Sequence, residues 1–235
     1  ASISAERPSR LAGRSARGQV LSVEFAVMSL LFLFPIGYSF SFLDVESRIA
    51  QQAVVRAPFL AQRFGFWNAL GRILTCVPLD FTKGRRLGGV FTYVVFALFV
   101  FFLGLLWLVL VPEPQAHAVR NANMLMALGY GGLLGIVPAA IKLVFGSEHL
   151  GLIYGLLYFW VYIAVLLWGR LAQVPSGCAG VACYRTYCAG GAVCTFLTGV
   201  ACCWMLWEDE RSRRGHASRR AAPAETPRFP SRGST

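Results

Sequence analysis

Charge is scarce in this chain. Of its 235 residues, 14% are charged, against about 25% in an average soluble domain. Acids are scarcest, with 11 Asp and Glu against 22 Lys and Arg. They are too few and too scattered to pair for general acid–base work. Histidine is equally thin: His117, His149 and His216 fall in loops or the tail. HExxH, GxSxG and P-loop patterns are absent, and with them the commonest metalloprotease, serine-hydrolase and nucleotide chemistries. The expectation is a protein that is not an enzyme and needs no cofactor. Strict apolar/polar alternation is also absent, which argues against a transmembrane β-barrel.

What is present is apolar length. Hydrophobic residues make up 56% of the chain, and mean hydropathy is +0.57. The run Val90–Val111 contains no charge. At about 1.5 Å rise per residue it crosses a hydrocarbon layer of about 30 Å. The fold class expected is all-α, a polytopic membrane protein with six transmembrane helices. The spans are read at Val23–Leu43, Phe59–Phe81, Gly89–Val111, Asn123–Phe145, from after Ser147 to Arg170, and Tyr187–Trp207. Residues 1–20 are read as a disordered basic segment, 21–207 as the six-helix bundle, and 208–235 as a disordered basic tail. The Arg/Ser/Ala-rich start also has the composition of a transit peptide, but the linker reading is taken.

Six spans put both ends on one side. The first segment, the 82–88 loop and the tail carry fourteen Lys and Arg, and the opposite loops carry five. The positive-inside rule therefore places both termini in the cytoplasm. The net charge of +11 is assigned to topology and anionic lipid. It lacks the interleaved aromatics of a nucleic-acid surface, so no nucleic-acid partner is expected.

The second span is the odd one. FWNALGRILTCVPLDFTKGRR (residues 66–86) carries Asn68 and Arg72 inside an otherwise apolar helix. An arginine near mid-membrane costs about 2.5–3.5 kcal/mol on insertion scales. It is read either as a cavity or gating charge, or as a structural ion pair or snorkelling side chain. Pro35 breaks the first span beside Tyr38, Ser39 and Ser41, where freed carbonyls need polar company. The substrate-cavity candidates are Tyr38, Ser39, Ser41, Asn68, Arg72, Tyr130 and Tyr158. Tyr154, Tyr158 and Tyr162 form one helical stripe, read as cavity lining or as packing and interface aromatics. Gly131 and Gly135 form a small-xxx-small pair that admits a close neighbour. Cys76, Cys194, Cys202 and Cys203 read as small apolar residues. Cys178 and Cys183 are a candidate disulfide, with free thiols, or a weak zinc site shared with Cys188, as the open alternatives.

Trp67, Asn68, Gly71, Arg72 and Asp80, followed by Gly84, Arg85 and Arg86, resemble the N-x-x-G-R…D…G-x-R pattern of the major facilitator superfamily. Cys76 stands where that pattern has Gly, and the Asp80–Gly84 spacing is one residue longer. Phe145, Gly146, His149, Gly151 and Tyr154, then Cys178, Gly180, Cys183 and Tyr184, resemble segments of its nodulin-like branch. The resemblance implies that the six spans are helices seven to twelve, the C-terminal half of a twelve-helix transporter. It implies alternating access for a small solute or ion, with Asp80, Gly84, Arg85 and Arg86 as a conformational-switch loop. Partners would be the bilayer, the solute, and a missing N-terminal half or partner chain. The competing expectation is a non-transporting subunit or assembly factor of a larger complex.

Overall fold

The computed structural model describes residues 11, 13–52, 56–81, 87–111, 116–173 and 184–221. Among them there is helix and no strand. The elements are α1 (Ala16–Val20), α2 (Val23–Leu31), a π-helical turn (Phe32–Ile36), α3 (Gly37–Gln52), α4 (Ala57–Phe81), α5 (Leu87–Leu110), α6 (Ala116–Phe145), α7 (Leu150–Leu171) and α8 (Arg185–Ala221). Five helices are long and apolar enough to cross a bilayer: Val23–Gln51, Gly89–Leu110, Ala116–Phe145, Leu150–Leu171 and Arg185–Glu208. The chain is a multi-pass helical membrane protein. α4 has the length, at 25 residues, but Arg63, Asn68 and Arg72 keep it below the apolarity of the other five.

Pro35 sits inside the π-helical turn. Proline removes one backbone N–H and crowds the preceding turn, and a π-turn is one way a helix absorbs that defect. The helix does not stop there. It runs past the expected end at Leu43, because Val45, Ile49 and Ala50 form a buried stripe with helical spacing. α6 likewise starts at Ala116, earlier than Asn123. It ends where Gly146 adopts φ +82° and returns its N–H to the Lys142 carbonyl at 3.0 Å. α7 begins later than expected, with His149 rather than Ser147 as its N-cap.

Both terminal segments carry more structure than the sequence suggests. Leu11 is 3% exposed and Gln19 is 0% exposed. Leu11 N–H donates to the Val144 carbonyl at 3.0 Å. The Gln19 side-chain amide donates to the carbonyls of Leu11 (3.2 Å) and Phe145 (3.1 Å). The last carbonyls of a helix lack intrahelical donors, and this segment supplies two. Order over residues 11 and 13–20 thus replaces the expected disorder there. At the other end, α8 continues through Glu208–Arg211 to Ala221. Asp209 and Glu210 stand four residues before Arg213 and Arg214, a spacing that supports a helix.

The helix pairings follow a pattern. Take α2–α3 as one bent span, then α4, α5, α6, α7 and α8. The first span packs on α7 and α8, α4 packs on α6, and α5 packs on α6 and α8. Lighter contacts join the first span to α4 and α6, α6 to α7, and α4 to α5. Several of these pairs approach closely at glycine, α5 and α6 among them at Gly104 and Gly129. A Cβ at Gly37 would collide with Ala164 of α7, and one at Gly131 would collide with the Asn68 carbonyl of α4. The Gly131–Gly135 motif therefore does admit a close neighbour, and that neighbour is α4.

Candidate functional site

The α4–α6 contact fixes where Arg72 stands. Gly71 lies against Leu128 and Gly132 of α6, and Gly135 lies against Arg72, Thr75 and Cys76. The Thr75 hydroxyl is 2.9 Å from its own Gly71 carbonyl and 3.3 Å from the Gly132 carbonyl across the interface. The Cys76 thiol reaches the Gly135 carbonyl at 3.4 Å. With that flank consumed by packing, Arg72 is left exposed. Its Nε donates to Asn68 Oδ1 at 3.1 Å, one turn back.

Tyrosines gather beside this pair. Tyr130 of α6 is 4% exposed, with its ring 6.0 Å from Phe40 and 6.1 Å from Phe64. Its hydroxyl lies within electrostatic reach of Arg72 and of Tyr158 on α7. Tyr154 and Tyr158 stand one turn apart on α7, with ring centroids 5.0 Å apart. Both pack edge-on against Phe32 in the π-helical turn, at 6.2 and 5.4 Å. Asn68, Arg72, Tyr130 and Tyr158 are thus drawn together across α4, α6 and α7, and Tyr154 joins them. Tyr162 lies a turn further along α7 and is largely exposed. A groove of about 310 Å³ runs along α4 between Phe59, Gln62, Arg63, Phe66 and Trp67, next to Asn68.

The arrangement offers a fixed cation, an amide and three phenols. These are groups able to donate hydrogen bonds to an anionic or polar solute. Apolar side chains face outward on α5 and α8, among them Phe96, Phe99, Phe196 and Trp204, and also on α4 beside Arg72, at Phe66, Ile73, Leu74 and Val77. Such flanks suit lipid, whereas an arginine inside the bilayer needs water or a protein partner.

Tyr38, Ser39 and Ser41 lie elsewhere. All three are buried in the bundle. The Tyr38 ring stacks on Tyr187 at 4.7 Å and meets Trp168 edge-on at 5.1 Å. Ser39 Oγ donates to the Pro35 carbonyl at 2.7 Å, the back-bond to the preceding turn that serine commonly makes inside a helix. Cys188 is buried beside this cluster and unpaired, and no group of three metal-binding side chains occurs among the described residues. Asp80 falls in the last turn of α4, with its side chain outside the described set. Gly84, Arg85, Arg86, Cys178 and Cys183 also lie outside the described residues.

No family model, no curated protein and no solved structure matches the chain. The geometry of the site stands by itself.

Sequence reading missed one pair. Glu46 lies beyond the expected end of the first span at Leu43, yet it is 3% exposed and accepts a hydrogen bond from Asn123 Nδ2 at 2.5 Å. The signal that was available was the helical stripe of Val45, Ile49 and Ala50, which carries Glu46 inward with it.

Proposed function

We propose that the chain is one six-helix half of an alternating-access transporter, and that the Arg72 face forms one wall of its solute path. The observation that carries this reading is the pairing pattern. Number the spans one to six and exchange the first three with the last three. The contact of span one with five becomes that of four with two. The contact of three with four becomes that of six with one. Three with six and one with four map onto themselves, and one with two becomes four with five. Only the slight α4–α5 contact has no counterpart among these pairs. Both members of the first exchanged pair meet through glycine, at Gly37 and at Gly131. An odd number of spans per repeat forces the two repeats to be inverted in the bilayer, which is how many transporter halves are built.

In this reading α4 is the sixth span. Its polar side chains are tolerated because they face a water-filled path and a second bundle rather than lipid. The solute is small and polar or anionic, recognised by Arg72 with Tyr130, Tyr154 and Tyr158. The second bundle is a missing N-terminal half or a partner chain. Both ends lie on the cytoplasmic side, following the Lys and Arg count. No P-loop is present in the sequence, so movement is facilitated diffusion or coupling to an ion gradient.

Reconstitution tests the reading. The chain alone, and the chain with a candidate second half, are placed in proteoliposomes and assayed for uptake of small organic anions and neutral solutes. Uptake that needs the second half, or a second copy, supports the proposal. Robust uptake by a strict monomer overturns the half-transporter reading. Stable migration in a large native complex, with solute flux unchanged on deletion, moves the chain to the class of assembly subunits.

A further inference from the structure

Glu46 and Asn123 take no part in the Arg72 face. Glu46 lies on α3 and Asn123 on α6, both nearly inaccessible. Asn123 Nδ2 donates to Glu46 Oε1, which is the carboxyl's hydrogen bond among the described residues. The other side of the amide is bare among the described residues: Asn123 Oδ1 is buried and has no hydrogen-bond partner there. On their own helices the pair is flanked by buried Val45, Ile49 and Ala50, and by buried Ala122 and Met126.

A carboxyl in such a place must have its charge balanced by a cation or a proton. α3 packs against α4, α6, α7 and the π-helical turn. The charged or titratable groups near this end are Asp44 and Arg48 on α3, Arg56 and Arg63 at the start of α4, His117 and Arg120 on α6, and Arg170 on α7. All are exposed except Arg63, which is half-buried, and the π-helical turn has none. Further along, Arg72 is bonded to Asn68, Lys142 sits near the far end of α6, and Tyr130, Tyr154 and Tyr158 form the face already described. Among the described residues, none of these cations makes an ion pair with Glu46.

We propose that Glu46 is a proton-binding site, with Asn123 as the partner of both its forms. An amide has a donor and an acceptor. The carboxylate accepts from Nδ2–H, as seen. When a proton from solvent water adds to the carboxylate, the new O–H donates to Oδ1 once the amide turns over. Oδ1, idle in the present arrangement, is then used, and no other residue has to move. An ionisable side chain held inside a membrane bundle is a functional site by default. The inference rests on burial and hydrogen bonding, and it holds or fails independently of the transport reading.

The experiment is infrared difference spectroscopy of the full chain in lipid nanodiscs, from about pH 4 to 9, a range that brackets the ordinary glutamate value. One sample carries ¹³C-labelled glutamate. Glu46 is the buried glutamate among the described residues. The expected result is a protonated-carboxyl C=O band that exchanges slowly in D₂O, shifts with the label, and titrates. Glu46→Gln should abolish it, and glutamine keeps both shape and pairing with Asn123. Asn123→Ala should shift it. A band that survives Glu46→Gln overturns the proposal, and so does the absence of a slowly exchanging, label-sensitive band at every pH. The labelled unaltered chain decides the matter even if the variant fails to fold.

Discussion

Gly131 of α6 rests directly on the backbone of Asn68 of α4, so closely that a Cβ there would overlap the Asn68 carbonyl. This contact locks α4 against α6 and turns Arg72 outward, where it bonds Asn68 at 3.1 Å. The position of Arg72 thus depends on a side chain that is missing from α6, two helices away.

Replacing Gly131 with Val should force the helices apart. Overpacking of this kind costs about 1–3 kcal/mol. Thermal unfolding in detergent should fall accordingly, while Gly155→Ala, where a Cβ meets open space, should leave it unchanged. Equal effects from both would show that the α4–α6 contact is not as tight as described.

Arg72→Leu should insert and fold normally. Arg72 is exposed, and a same-helix pair of this spacing contributes about 0.2–0.5 kcal/mol. Uptake by the reconstituted two-half unit should be lost. Unchanged uptake would reduce Arg72 to a charge that only sets topology.

Tyr38 separates two contributions. Its hydroxyl is buried with no hydrogen-bond partner among the described residues, so Tyr38→Phe should change stability by less than about 1 kcal/mol, or raise it. Its ring is fully buried and makes contacts with Tyr187, Trp168, Phe42 and Phe101. Tyr38→Ala should therefore cost about 3–5 kcal/mol. Melting curves of the two variants check both numbers. A large loss in Tyr38→Phe would mean that the hydroxyl has a partner.

Gln19→Ala removes the donor to the Leu11 and Phe145 carbonyls. Leaving buried carbonyls unpaired costs about 1–3 kcal/mol. The segment should loosen from α6, and limited trypsin digestion at Arg14 and Arg17 should speed up several-fold. Unaltered digestion would show that Leu11 alone holds the segment.

Some of this was legible early. Apolar runs such as Val90–Val111 announce themselves, because a bilayer span needs length and low charge and both are visible in one dimension. Gly131 and Gly135 announced a close helix contact, but not its partner. Asn68, Arg72, Tyr130 and Tyr158 are cavity candidates from their chemistry; the structure bonds Arg72 to Asn68 and sets Tyr130 within electrostatic reach of Arg72 and Tyr158. Tyr38, Ser39 and Ser41 were named on the same grounds and are buried elsewhere. Beside a proline, serine serves the broken backbone as readily as a solute, and local sequence does not choose between them.

Glu46 shows the limit most plainly. In sequence it sits among Asp44, Ser47 and Arg48 and reads as a polar connection. The sequence by itself determined the class of the protein, since composition and run length decide whether a chain is compatible with water or with lipid. It also determined which residues carry charge inside that class. Only the tertiary structure decided which flank of each helix is consumed by a neighbour, because that depends on close backbone approaches, at Gly37 and at Gly131, between segments far apart in the chain. The approach at Gly131 leaves Arg72 exposed, and the meeting of α3 with α6 buries Glu46 against Asn123.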